Sequence, residues 1–272
     1  MKSIRKKYCQ FLNTNAGANL YNEFKKILYT EEDSLVQTLD NDVLQGLTLL
    51  RKPDLKVCDI GGGDGKRITH ILRYLHVKFR ERFHLDFIEQ SSLYIEAFNT
   101  TILNSFCETR KHHTLFENVA LPEKSYDLIF LIHSIFAFEN GRALEKVLAL
   151  PHADGKVVVI SNAPHSFLGG LKKIVDEDYD DRRYEICNLQ SDLDKKQISY
   201  VCSTFQTRWA IDQAHYNDCL NIIMDWISLN SWNSFTPEKR RTIFNYVNET
   251  STISGGRTFF TEEEVVLVIP SL

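Results

Sequence analysis

A glycine-rich turn follows the first strongly apolar segment of the chain. The segment VCDIGGGDG at residues 57–65 places glycines at the alternate positions 61, 63 and 65, directly before an amphipathic stretch. Glycine adopts positive φ and carries no Cβ, so such a turn lets a ligand approach the backbone closely. We therefore predict a ligand-binding turn that includes Asp59, Gly61, Gly63, Asp64 and Gly65.

The spacing of the glycines distinguishes between the known kinds of nucleotide-binding turn. A dinucleotide fingerprint needs its third glycine at position 66, which is Lys66, so this alternative is weakened. A phosphate-binding P-loop is excluded, because Arg67 stands where that motif needs a hydroxyl. The turn favours a nucleoside that lacks a pyrophosphate.

A carboxylate ends the next apolar segment. Residues 83–89 finish at Glu89, which is followed by Gln90 and Ser91. At the end of a parallel strand, Glu89 can accept hydrogen bonds from both hydroxyls of a ribose, each worth on the order of 1.5–3 kcal/mol. Taken alone, Glu89 would equally suit the N-terminus of a helix before Ser91. Strand, glycine turn, helix, strand and glutamate in this order look like the S-adenosylmethionine site of class I methyltransferases, with Gln90 beside the glutamate.

A third apolar segment supplies the side of the site that faces an acceptor. SYDLIFLIHS at residues 125–134 has the form found at the fourth strand of such enzymes. We expect Ile132 and His133, at its end, to line the donor site and to face the transferred methyl group. His133 is the candidate catalytic residue, which would orient an acceptor or take a proton. The alternative is a hydrogen-bonded structural histidine.

Short apolar runs alternate with amphipathic segments from residue 55 onward, which is typical of β-α-β units. Strands are predicted at 55–60, 83–89, about 114–116, 126–132 and 156–161, with strand-like segments at 198–209 and 258–269. Helices are predicted between the first five strands, the second of them around Ile95, Phe98 and Ile102. The predicted fold class is α/β: a doubly wound, Rossmann-like parallel sheet whose ligand crevice lies at the C-terminal ends of the strands.

Two helical regions accompany this sheet. Residues 1–52 show helical periodicity with no strand signal, which predicts an N-terminal helical cap. Residues 53–272 form the predicted ligand-binding domain, with a helical insertion at about 212–250 before the last strand.

Composition limits the function classes. The 272 residues are 43% hydrophobic and carry 32 Lys+Arg against 36 Asp+Glu, a net charge of −4, so the chain can bury a core but offers no basic surface for nucleic acid. Its cysteines form no C-x-x-C pair, so neither a metal site nor a disulfide framework is predicted. The longest apolar run, residues 128–138, is far shorter than the about 20 residues that span a bilayer. We expect a cytoplasmic protein whose partner is a small molecule.

Aromatic and acidic side chains are the candidates for an acceptor pocket. An amine must reach the methyl group unprotonated, and desolvation in an aromatic pocket lowers its pKa. Candidate pocket walls are the aromatic residues Tyr8, Phe11, Phe136, Phe138, Phe167 and Trp209. The acidic run at residues 262–264 would attract a cation. The alternative interpretation is a set of core aromatics and a solvated acidic run.

The order of these motifs resembles histamine N-methyltransferase and its relatives. The resemblance is carried by the glycine turn, by EQS at 89–91, by DLIFLI at 127–132, by VIS at 159–161 with LKK at 171–173, and by the closing segment 260–269. It implies a methyltransferase core that uses S-adenosylmethionine, with donor-binding roles for Gly61, Glu89 and Ile132. It also implies that the N-terminal helical cap, residues 1–52, contributes to the substrate site together with late segments of the chain.

On the acceptor side, the resemblance implies a changed site. His133 stands where the family has a substrate-side glutamine, and Glu262 stands where it has a substrate-contacting asparagine. Phe167 and Leu171 occupy positions of tryptophans. A cap position that is acidic in histamine-binding relatives is Gly17 here. The resemblance therefore implies an acceptor other than histamine.

The sequence supports a main hypothesis and three alternatives. The main one is an S-adenosylmethionine-dependent methyltransferase acting on a small molecule, at an amine nitrogen, with Tyr8, Phe167, Leu171 and Glu262 on the substrate side. The alternatives are methyl transfer to a small-molecule oxygen, a non-catalytic binding module that retains the fold, and, more distantly, a dehydrogenase.

Overall fold

The structure, a computed structural model, describes residues 11, 14–27, 54–138, 141–175, 185–228 and 232–272. The chain divides into two compact units. The larger, here called the sheet unit, comprises Glu32–Ser161, Tyr184–Phe205 and Val265–Leu272. The smaller, here called the aromatic unit, comprises Met1–Glu31, Asn162–Arg183 and Gln206–Glu264.

The described residues form eight strands: β1 Asp54–Ile60, β2 Arg82–Glu89, β3 Cys107–His113, β4 Tyr126–Ile132, β5 Pro151–Asn162, β6 Val201–Asp212, β7 Ser251–Ser254 and β8 Arg257–Pro270. They form one sheet in the order β3-β2-β1-β4-β5-β8-β6, with β7 paired to β8. The pairs formed among β1 to β5 are parallel, and the β7–β8 pair is antiparallel. The predicted α/β fold with a doubly wound, mostly parallel sheet is confirmed.

The helices among the described residues follow their apolar spacing. They are α1 Asn15–Ile27, α2 Lys66–Phe79, α3 Ser92–Ala97, α4 Gly141–Leu148, α5 Phe167–Val175, α6 Ile186–Lys195, α7 Tyr216–Ser228 and α8 Pro237–Thr250. In α2, Ile68, Ile71, Leu72 and Leu75 recur at helical spacing and are all buried. None of the helices in the described ranges combines the length and the apolar character that a membrane crossing needs.

The core of the sheet unit explains why its central strands were easy to predict. β4 is buried along nearly its whole length, and β1 is buried over its second half. A central parallel strand has elements packed on both faces, so its sequence becomes a continuous apolar run. These strands pack with α2 around large buried side chains such as Phe83, Phe87 and Phe130.

The third strand was predicted wrongly. It lies at Cys107–His113 and not at 114–116, and it ends the sheet next to β2, with Phe83 opposite Cys107 and Glu89 opposite His113. Its sequence, CETRKHH, is polar and mostly exposed. A terminal strand of a sheet needs no apolar side chains on both faces, so the hydrophobic signal on which the prediction relied is missing there.

The second predicted helix is shorter than its apolar spacing indicated. Helix α3 ends at Ala97, so Phe98 and Ile102 lie beyond it. Phe98 is nevertheless buried, with its ring tilted against that of Phe87 and the ring centroids 4.1 Å apart, whereas Ile102 is exposed. Helical spacing therefore identified a buried residue but extended the helix too far.

The aromatic unit has a core of its own. Buried side chains from α1, α5, α7 and α8 and from the ends of β6 and β8 that belong to this unit form one cluster, which includes Phe24, Phe167, Trp209, Met224 and Phe260. Helices α7 and α8 lie within the region where an insertion was predicted. The predicted boundary at residue 52 lies outside the described residues and stays a prediction.

Candidate functional site

The glycine turn links β1 to α2 through positive backbone dihedral angles. Gly61, Gly63 and Gly65 have φ of 71°, 58° and 73°, and Gly65 directly precedes α2. The backbone N–H groups of Gly61 and Gly62 donate to the Ile88 carbonyl at 2.9 and 3.2 Å, so the turn is bonded to the end of β2. Glycine is required at these positions because L side chains rarely adopt this conformation.

The glycines of the turn differ in what surrounds them. A Cβ on Gly61 would lie 2.6 Å from the Ser134 Cβ, and one on Gly65 would lie 2.2 Å from the Phe98 ring. A Cβ on Gly63 would meet nothing within 4 Å. Gly63 is therefore the position where the backbone of the turn borders open space.

Glu89 is bonded to the turn by its side chain. The residue as a whole is 7% exposed, and Oε2 accepts from the Gly63 N–H at 2.9 Å while Oε1 accepts from the Ser91 N–H at 2.8 Å. Burial raises the pKa of Glu89, and backbone hydrogen bonds from Ser91, Gly63 and Gln90 oppose that shift. A carboxylate has about four acceptor sites, so Glu89 can accept about one further hydrogen bond.

Asp59 lies under the turn, fully buried at the end of β1. Burial raises the pKa of Asp59 to about 8, and the negative charge of Glu89 adds to the shift. Among the described residues, neither Asp59 Oδ1 nor the buried hydroxyl of Ser91 has a hydrogen-bond partner. Buried polar atoms normally have partners, so these two atoms fit a site that receives a polar ligand.

Two further predicted residues lie at the rim of this group. Asp64 is partly exposed within the turn, and its carboxylate lies 3.4 Å from the Lys66 backbone nitrogen and 3.5 Å from Lys66 Nζ. Gln90 is partly exposed and follows Glu89 directly. Their predicted roles in donor binding stay predictions.

The end of β4 meets the same turn. Ile132 is partly buried against the core, and the His133 N–H donates to the Ile160 carbonyl at 2.8 Å. The buried Ser134 hydroxyl donates to the Ile60 carbonyl at 2.6 Å, which attaches the residue after His133 to the start of the turn. The His133 ring contacts Arg67, with Nε2 and Nη1 2.8 Å apart.

The structure thus brings together most of the residues that were predicted to bind a nucleoside: Asp59, Gly61, Gly63, Gly65 and Glu89, with His133 beside Ser134. Sequence reasoning missed Ser91, Ser134 and Arg67. Ser91 follows Glu89 so closely that its place after a strand end was a usable signal. Nothing local in the sequence connects Ser134 or Arg67 to their partners.

The predicted substrate residues belong to the aromatic unit. Phe167 is buried against Trp209, Tyr246 and Phe260, with ring centroids 5.3, 5.7 and 4.6 Å away. Leu171 is fully buried in the same cluster. Tyr8 lies outside the described residues.

Glu262 is a buried carboxylate of the aromatic unit. It accepts hydrogen bonds from Asn162 Nδ2 at 2.7 Å and from the Leu168 N–H at 3.0 Å, and the Ser166 hydroxyl also bonds to it. Burial raises the pKa of Glu262 to about 7, against the effect of these hydrogen bonds. Of its donors, Leu168 lies in the first turn of α5, and Ser166 and Asn162 precede that helix. Glu262, which lies on β8, therefore caps the N-terminus of α5. Its role toward a substrate stays a prediction.

No cluster of His, Cys, Asp and Glu side chains suited to a metal ion occurs in the part of the chain that the structure describes.

Comparison with solved structures identifies the fold. The plantazolicin methyltransferase BpumL, solved in complex with SAH, has a TM-score of 0.57 at 14% identity, covering 98% of this chain and 95% of its own. The YcgJ protein of Bacillus subtilis has a TM-score of 0.52 at 15% identity, covering 84% and 96%. A putative sarcosine dimethylglycine methyltransferase from Galdieria sulphuraria has a TM-score of 0.51 at 13% identity, covering 87% and 85%.

These likenesses define a Rossmann-like class I methyltransferase fold. No family model matches the chain, and no curated protein matches it in sequence. The comparisons therefore support the class I fold and do not distinguish the histamine N-methyltransferase family within it.

Proposed function

We propose that the protein is an S-adenosylmethionine-dependent methyltransferase that transfers a methyl group to a small-molecule amine nitrogen. The observation that carries the proposal is the position of Glu89. Backbone N–H groups on either side, from Gly63 and Ser91, hold its carboxylate next to the glycine turn. That arrangement leaves the carboxylate an acceptor site for a ribose hydroxyl.

The residues around Glu89 fit the same ligand. Gly63 borders open space where a ligand can approach the backbone, and the oxygens of Asp59 and Ser91 that have no partner among the described residues can bond to polar groups. When bound, the donor supplies an electrophilic methyl group on a sulfonium. Further support comes from the solved neighbours with the same fold, of which BpumL is in complex with SAH.

The second part of the proposal is that the methyl acceptor is an amine nitrogen. This choice of acceptor is supported by the resemblance to histamine N-methyltransferase. Methyl transfer requires mainly that the acceptor lone pair and the methyl group are held about 3–3.5 Å apart in line, so an elaborate acid–base apparatus is not needed.

Donor binding tests the first part of the proposal. In isothermal titration, the protein should bind S-adenosylmethionine and its demethylated product SAH with micromolar affinity. Glu89→Gln should weaken SAH binding about 10- to 100-fold, because a charge-assisted hydrogen bond to the ribose is lost. Glu96→Gln makes the same exchange at an exposed carboxylate of the neighbouring helix α3 and should leave SAH binding unchanged. If the folded wild-type protein binds neither nucleoside, the proposal is wrong.

Product analysis tests the acceptor. The protein is incubated with S-adenosylmethionine carrying an isotopically labelled methyl group and with a pool of small metabolites. Mass spectrometric fragmentation of each labelled product should place the methyl group on nitrogen. Label on oxygen would overturn the amine assignment but keep the methyltransferase. Donor binding without any label transfer to the pool or release of SAH would indicate a binding module.

A further inference from the structure

The side chains of Arg67 and His133 join two parts of the nucleoside-binding region. Arg67 is the second residue of α2, the helix that starts at the glycine turn, and His133 is the first residue after β4. Arg67 Nη1 lies 2.8 Å from His133 Nε2, and both side chains are partly buried. The pair therefore connects the turn to the strand end where an acceptor is expected.

The chemistry of arginine determines the protonation of the ring nitrogen that it contacts. A guanidinium has only donors and stays charged at every accessible pH. A hydrogen bond between Arg67 and His133 therefore requires Nε2 to be the acceptor, without a proton. A neutral imidazole with an unprotonated Nε2 carries its one proton on Nδ1. Protonation of Nε2 would break this hydrogen bond and bring two cations into contact.

The backbone around His133 is also constrained. His133 has φ of 50°, a left-handed conformation that is uncommon for residues other than glycine. It is retained because the His133 N–H donates to Ile160 and the Ser134 hydroxyl donates to Ile60 on either side of the ring's attachment point. Strained conformations of this kind persist where the surrounding structure holds them, and they concentrate at functional sites.

We propose that Arg67 is a positioning residue that holds His133 as the neutral tautomer with its proton on Nδ1. The Nε2 lone pair of His133 is then engaged by Arg67, and Nδ1, which carries the proton, acts as a hydrogen-bond donor.

This inference rests on the proposed methyltransferase function for its consequence. Of the two roles expected for His133, it retains the orientation of an acceptor and removes proton abstraction. An amine acceptor therefore does not lose its proton to His133. The charge of Arg67 favours an acceptor nitrogen that is already unprotonated, because a nearby cation disfavours the protonated form of an amine.

Nitrogen NMR of the full-length protein labelled with 15N-histidine tests the tautomer without any ligand. His133 should show a pyrrole-type Nδ1 and a pyridine-type Nε2 at neutral pH, and the His133→Gln variant assigns its signals by their loss. Two other histidines serve as internal references. His76 Nδ1 faces the Glu81 carbonyl and must carry the proton there, whereas His152 Nδ1 accepts from the Asp154 N–H and must not.

Variants of Arg67 test the cause. Arg67→Met removes the donor and should raise the Nε2-protonated fraction of His133 at least severalfold, while Arg67→Lys, which keeps a donor, should restore the wild-type pattern. Arg73→Met, at an exposed position of the same helix, should change nothing. Unchanged signals of His76 and His152 verify the fold in each variant.

Several results would overturn the inference: a wild-type His133 protonated on Nε2, a doubly protonated ring at neutral pH, or an Arg67→Met spectrum identical to that of the wild type. SAH titration separates the two proposals. If the protein does not bind SAH but shows the expected tautomer, the methyltransferase function fails and the role of Arg67 in holding His133 remains.

Discussion

Two buried regions of the molecule differ in how far their side chains are already engaged by contacts and hydrogen bonds. They are the glycine turn of the sheet unit and the aromatic cluster of the aromatic unit. Around the turn, Gly63 borders open space, and Asp59 has a buried oxygen without a hydrogen-bond partner among the described residues. In the aromatic cluster, the ring of Phe167 meets three other rings, and Glu262 has donors on both oxygens. Residues that border open space or have unused hydrogen-bonding groups are better candidates for ligand binding than residues whose partners are already present in the fold.

The largest expected effect concerns the aromatic unit. Phe167→Ala should lower the free energy of unfolding by about 3–5 kcal/mol, because it removes a buried ring from contact with Trp209, Tyr246 and Phe260. Phe167→Leu, which keeps most of the apolar volume, should cost about 1–1.5 kcal/mol. Denaturant unfolding measures both. A small stability loss in the alanine variant, together with a raised KM for an acceptor, would instead assign Phe167 to a substrate pocket.

The next effect separates two glycines of the turn. Gly65→Ala should destabilise by about 3 kcal/mol, because it combines a positive φ with a collision against the buried Phe98 ring. Gly63→Ala introduces only the strain of a positive φ, without a collision, and should lower the free energy of unfolding by about 1 kcal/mol. Its added methyl group enters the open space, however, so SAH binding should fall at least tenfold. Full binding by a folded Gly63→Ala protein would contradict the ligand position inferred here.

The smallest effect concerns the pH dependence of stability. Asp59 keeps its proton in the folded chain up to about pH 8, whereas its ordinary pKa is 3.8. The folded state therefore holds one more proton across this window, and the free energy of unfolding decreases as the pH rises through it. Asp59→Asn cannot ionise, so it should be more stable than the wild type at pH 9 by about 1–3 kcal/mol and by less at pH 6.

Thermal or denaturant unfolding at the two pH values checks this prediction. If the difference between Asp59→Asn and the wild type is the same at pH 6 and pH 9, Asp59 is already ionised in the folded protein. A hydrogen-bond donor from outside the described residues would then have to reach Asp59 Oδ1. Asp59 would then be a buried carboxylate with hydrogen-bond donors, like Glu262, and the difference between the two regions would no longer hold.

The sequence predicted the parts of the fold that depend on continuous local signals. Strand β4 was predicted with its observed limits, because burial on both faces makes it apolar throughout. Strand β7 was missed because it is short and exposed, and β3 was misplaced because its polar side chains resemble those of a loop. Local composition therefore reports burial reliably and strand pairing poorly.

The same distinction applies to the site. The glycines and Glu89 were found because the geometry of a turn and of a strand end restricts which residues can stand there. Ser134 and Arg67 were missed because their contacts join residues 74 and 66 positions apart. Long-range side-chain contacts of this kind have no counterpart in the spacing of residues along the chain.

The hydrogen bonds from Gly61 and Gly62 to Ile88, and from Gly63 to Glu89, have a consequence for kinetics. These hydrogen bonds are already present in the folded chain without a ligand, so the turn is ordered before the ligand arrives. Little of the binding free energy is then spent on ordering the turn. Association should therefore follow a single exponential whose rate rises linearly with ligand concentration, without the plateau that a slow rearrangement of the turn would impose.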